Sequence, residues 1–131
     1  LSERFWAGCC DDHATRRAIR DCFDKTNKVI DPHSAVGYDV YAQYREQTGD
    51  STPAVIASTA SPFKFGADVL IALGQNIAGK SAFELMDMLE RISGMEAPNA
   101  LRELETLPVR FEDQAEKARM ADYVAKALGL S

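Results

Sequence analysis

At Asp31-Pro32 and at Ser61-Pro62 a residue able to cap a helix is followed at once by proline. A cap side chain accepts from the free N–H groups of the first turn. Proline suits the first helical position, where its missing N–H costs nothing. A short apolar run stands before each pair: Val29-Ile30, and Pro53-Ala54-Val55-Ile56-Ala57-Ser58. The second run has no polar alternation, the pattern of a strand covered on both faces of a parallel sheet. Two such handovers predict an α/β fold, with helices packed on a small, mostly parallel sheet. In such folds ligands bind where the strand ends and the next helix presents unpaired N–H groups.

The rest of the chain alternates in the same way. Residues 4–8 read as a short strand. Asp11 or Asp12 caps a helix whose stripe is Ala14, Ala18, Ile19, Cys22 and Phe23, broken at Thr26-Asn27-Lys28. In the helix after Asp31, Ala35, Val36, Val40 and Tyr44 recur at three- and four-residue steps, and Gly49 ends it. After Ser61, the face Phe65, Val69, Leu70 and Leu73 stops at Gly74, and residues 75–80 form a polar linker. Ser81-Ala82-Phe83-Glu84 is a capping box for a helix carrying Phe83, Met86, Leu89 and Ile92 up to Gly94. A short helix is expected over 98–106 and an edge strand over 108–111. A last helix is expected over 112–128, with Ala115, Ala118, Ala121, Val124 and Leu128. Three or four strands make a thin sheet for so many helices, so strands from the remainder of the same polypeptide are expected to complete it.

The 131 residues suffice for one domain with its own core. Net charge is −5 with both signs interspersed, and no basic stripe invites nucleic acid. No apolar run approaches the ~20 residues of a membrane helix. Leu1 is not an initiator methionine, which reads as a piece of a larger protein. Cys9, Cys10 and Cys22 are odd in number and irregular in spacing, which is no disulfide framework and fits a reducing, cytoplasmic compartment. A metal site from Cys9, Cys10, His13 and Cys22 lacks the CxxC pair of structural zinc, so none is assigned.

The chemistry concentrates in Asp31-Pro32-His33-Ser34-Ala35-Val36-Gly37 and Ser58-Thr59-Ala60-Ser61-Pro62-Phe63-Lys64-Phe65. The second segment holds three hydroxyls among its first four residues and a lysine, a cluster suited to a phosphorylated or carboxylated small molecule. Ser58 and Thr59 either bond local backbone at a strand end or face a ligand. Lys64 is either a solvated surface lysine or a mobile charge at the helix end that already favours anions. His33, in a first helical turn, is expected neutral. It either bonds nearby backbone or touches substrate.

In this order and at this spacing the two segments resemble the C-terminal part of threonine synthase, a family that uses pyridoxal 5'-phosphate (PLP). Its usual forms read Asp-Pro-His-Thr-Ala-Val-Gly and Ser-Thr-Ala-His-Pro-Ala-Lys-Phe. The resemblance is closest over residues 31–69 and runs more weakly over about 5–128. It implies one part of a larger PLP fold type II architecture, the tryptophan-synthase-like class. It also implies an enzyme, a lyase of threonine biosynthesis that converts O-phosphohomoserine and water to L-threonine and phosphate. It puts Thr59, with Ser58 beside it, against the pyridine nitrogen of the cofactor, and Lys64 near substrate or cofactor. No catalytic residue is implied here. The family carries its Schiff-base lysine in a Phe-Lys-Asp segment, and its phosphate in a glycine-rich loop, and neither occurs in these 131 residues. The isolated chain is therefore expected to be inactive. Ser61 and Phe63 stand where the family has His and Ala. No role resting on that histidine carries over, and the bulkier Phe63 is expected to reshape the pocket edge. The other reading is a non-enzymatic acidic α/β module for interaction or regulation, with both segments acting only as caps.

Overall fold

The computed structural model describes residues 4–110 and 112–130. Its helices are α1 (Asp12–Thr26), α2 (Pro32–Thr48), α3 (Gly66–Ala72), α4 (Ala82–Ser93), α5 (Asn99–Arg102) and α6 (Met120–Ala127). Short 3-10 turns occupy Pro62–Phe65, Glu103–Glu105 and Lys117–Arg119. The starts follow from local chemistry. Asp11 accepts the Ala14 N–H at 2.7 Å, and Ser61 accepts the Phe63 N–H at 3.3 Å. Ser81 and Glu84 close their reciprocal capping box. The ends are left-handed residues: Asn27 at φ 55°, Gly49 at 69° and Gly94 at 66°.

α1 packs against both α2 and α3, and α3 against α4. The core between them takes Ala18 and Ile19 from α1, Val69 and Leu70 from α3, and Leu85, Met86 and Leu89 from α4. Ile19, Leu70 and Leu89 are fully buried. Each contributes about 1.5–3 kcal/mol through the apolar surface it removes from water. Phe63 and Val29 reach the same core from the connections. Ala35 is the buried apolar contact of α2, whereas Val36 is 37% exposed.

The α/β expectation is overturned. Among the described residues there is no strand and no sheet. Residues 4–8, Val29-Ile30, 53–58 and 108–110 all lie outside regular structure, while Phe111 falls outside the described residues. An extended run becomes a strand only when its N–H and C=O rows meet those of another run, and here none do. The most apolar run is instead laid along α2. Gly37 admits it, since a Cβ there would stand 3.2 Å from Ile56. Tyr41 donates to the Thr52 carbonyl at 3.2 Å, Tyr44 donates to Asp50 at 2.6 Å, and Val55 is 98% exposed. The expected last helix is also shorter. Residues 112–116 are not helical, and α6 buries no side chain. A helix with no packed face has little but propensity to hold it.

Leu70→Ala is expected to cost about 2–5 kcal/mol in urea unfolding, as a cavity in a filled core does. Val55→Ser should stay within about 0.5 kcal/mol. Equal costs for the two would contradict this placement of the core.

Candidate functional site

The site grows from the cap of α2. Asp31 is fully buried. Its Oδ1 accepts the His33 N–H at 2.9 Å and the Ser34 N–H at 3.4 Å, and lies 3.0 Å from the His33 Nδ1. Its Oδ2 accepts the Ser34 hydroxyl. Burial pushes the Asp31 carboxyl up, but the hydrogen bonds from Ser34 and His33 outweigh it and hold the group below its ordinary value. The positive end of α2 acts in the same direction.

From this cap two contacts cross to the second segment. The Ser34 and Ser58 hydroxyl oxygens are 3.0 Å apart. The His33 ring stands edge-on to Phe65, with centroids 5.0 Å apart and planes at 62°. The structure therefore brings His33 and Ser58 to one locus, although 25 positions separate them in sequence. Thr59 adjoins them in chain order, is exposed, and makes no hydrogen bond among the described residues. Lys64 is exposed and forms no ion pair among the described residues. Its backbone N–H closes the turn on the Ser61 carbonyl at 3.1 Å. Phe63 corrects one expectation: it is buried in the core rather than reshaping a pocket edge.

Three residues of this locus were not singled out as site residues: Asp31 beyond its capping role, Ser34, and Phe65. A signal existed for Ser34. A cap carboxylate and a hydroxyl three positions later share one turn, at the spacing of a capping interaction.

The surrounding surface is uneven. An apolar groove of about 420 Å³ runs beside the extended segment, lined by Trp6, Gly37, Val40, Tyr41, Tyr44, Ala54, Val55 and Ile56. A cleft of about 720 Å³ lies elsewhere, against α1, and none of the four site residues named from sequence lines it. Two of its arginines are already paired, Arg16 with Asp68 at 3.0 Å and Arg20 with Asp24 at 2.9 Å. Among the described residues no three side chains of ligating type gather to hold a metal ion. Cys9 is exposed, Cys10 half-buried and Cys22 buried, and all three are free. No described helix is long and apolar enough to cross a membrane.

Together these features define an edge that carries two hydroxyls and an imidazole, with Lys64 following in the next turn of the chain. The sequence profile described as "Threonine synthase, C-terminal" matches residues 34–125, and the chain belongs to that family. Ser34, Ser58, Thr59 and Lys64 lie inside the matched span, and Asp31 and His33 just before it. The threonine synthase of Methylobacillus glycogenes is 31% identical over 102 residues, 77% of this chain and 17% of that protein. That of Corynebacterium glutamicum is 38% identical over 64 residues, 48% of this chain and 13% of that protein. A mouse protein named threonine synthase-like 1 is 26% identical over 99 residues, 76% of this chain and 13% of that protein. The chain thus spans less than a fifth of the length of these relatives.

Asp31→Asn keeps the size of the cap and removes its charge. It is expected to lose about 1–3 kcal/mol near pH 6. The folded-state carboxyl lies below its unfolded value of about 3.9. Its contribution is therefore complete above that value and is lost as pH falls through the lowered folded value. The gap in urea midpoint between the natural chain and the variant should narrow below about pH 4. A gap unchanged from pH 6 to pH 3 would rule this out.

Proposed function

We propose that these 131 residues are the C-terminal portion, as one domain, of a PLP-dependent threonine synthase, and that Ser58 and Thr59 serve the ring-nitrogen side of its cofactor. The observation that carries this reading is the pair of exposed hydroxyls at the end of the extended segment. Ser58 is fixed through Ser34 to the start of α2, and Thr59 is left unengaged among the described residues. Both lie inside the span that matches the family.

The residues fit that side of the cofactor. A neutral hydroxyl can meet a pyridine nitrogen without protonating it, whereas a carboxylate would protonate it. When bound, PLP supplies an electron sink for the carbanion chemistry that replaces the phosphate of O-phosphohomoserine by water. Thr59 would orient the ring and leave its nitrogen neutral. Lys64 would attract the anionic substrate as a mobile point charge. His33, anchored by Asp31 and braced by Phe65, would contact substrate from the α2 side. The Schiff base and the phosphate cradle belong to the remainder of the polypeptide. The three free cysteines suit a reducing cytoplasm.

In the complete polypeptide, Thr59→Ala is expected to lower kcat/KM on the order of 10²-fold, as a misplaced reacting group does, while Thr59→Ser retains most activity. The 131 residues alone should release no phosphate from O-phosphohomoserine. With PLP and borohydride they should trap no pyridoxyl group on Lys64. A trapped group on Lys64, or an upstream sequence without Phe-Lys-Asp and a glycine-rich loop, would defeat the reading.

A further inference from the structure

We infer that Asp31 is a positioning residue: its buried carboxylate fixes the hydrogen-bonding polarity of His33 and Ser58, leaving both with lone pairs for a ligand and Thr59 as the hydroxyl with a proton to give. The argument is a count of protons. An ionised carboxylate only accepts, so each group against it must bring a hydrogen. The His33 Nδ1, 3.0 Å from Oδ1, therefore carries the ring hydrogen, and a neutral imidazole then has its lone pair on Nε2. The His33 side chain is 61% exposed, and Nε2 has no hydrogen-bond partner among the described residues.

The same count runs through the hydroxyls. Ser34 has one hydroxyl proton, and the Asp31 Oδ2 takes it. The 3.0 Å contact between Ser34 and Ser58 must then use the Ser58 proton, donated to the Ser34 oxygen. Ser58 is left as an acceptor. Such chains of hydrogen bonds polarise one another and hold a single direction. Thr59 donates to nothing among the described residues. This deepens the proposed function and rests on it for the ligand: an unprotonated pyridine nitrogen is an acceptor, so Thr59 is the hydroxyl that donates to it, with Ser58 beside it as an acceptor.

The test is independent of the cofactor. Long-range ¹⁵N–¹H correlation on the chain at about pH 8 reports the tautomer of His33. The Nδ1–H form is expected to dominate, and a slowly exchanging Ser34 hydroxyl proton should be visible and vanish in Ser34→Ala. Ser34→Ala should leave the His33 tautomer unchanged, and Asp31→Asn should shift it toward Nε2–H. A natural chain in the Nε2–H form would overturn the inference, and this holds even where Asp31→Asn fails to fold. A folded Asp31→Asn with an unshifted tautomer would overturn it too. In the complete polypeptide, Thr59→Val should lower PLP affinity more than tenfold and Thr59→Ser, which keeps the donor, less than threefold, and the reverse order would count against it. Failure of the complete polypeptide to bind PLP at all would sink the functional reading and leave the tautomer result standing.

Discussion

The buried carboxylate of Asp31 orders the start of α2, from which Ser34 reaches the segment that leads into α3. An unpaired charge at that depth would be strongly unfavourable. It is tolerated because two backbone N–H groups, one hydroxyl and one imidazole converge on it, and because it sits at the positive end of a 17-residue helix. Each of those donors is thereby held in one orientation. Ser34 in turn reaches Ser58, and His33 reaches Phe65. The polar link between the two segments that define the locus therefore starts from this group.

Much of the helical frame was legible because its signals are local. The capping side chains of Asp11, Asp31, Ser61 and Ser81 act within one turn. So do the left-handed stops at Asn27, Gly49 and Gly94. The sheet was misread because strand formation is not local. The run Ala54-Val55-Ile56-Ala57 carries the composition of a buried strand, yet composition does not say whether another backbone lies alongside. Here none does among the described residues, and Val55 points to solvent. The helix expected over 112–128 failed for a related reason. Alanines at helical spacing mark a face, but nothing in them says that another element covers it.

The site was legible in its parts and not in its wiring. Ser58, Thr59, Lys64 and His33 stand out as residue types at helix starts. That His33 and Ser58 share an anchor depends on Ser34, a small residue inside a helical pattern whose partner lies 24 positions away. The substitution of alanine by Phe63 looked like a change at a pocket edge. In the 3-10 turn Pro62–Phe65 that ring is instead buried, in the same core that holds Val69 and Leu70. A departure from the family motif can therefore act on packing while the exposed hydroxyls beside it keep their chemistry.

The bare C-terminal helix has a kinetic meaning. α6 spans eight residues, below the roughly 12–15 at which an isolated helix holds in water. Its Met120 and Val124, and Leu128 just after it, stand open to solvent. Opening it breaks only a few backbone hydrogen bonds and uncovers almost no apolar surface. Amide protons of α6 would exchange with solvent long before those of α1, whose release requires the core around Ile19 to come apart. The chain thus carries a gradient of cooperativity, steep at the Asp31 junction and nearly flat at its C-terminal end.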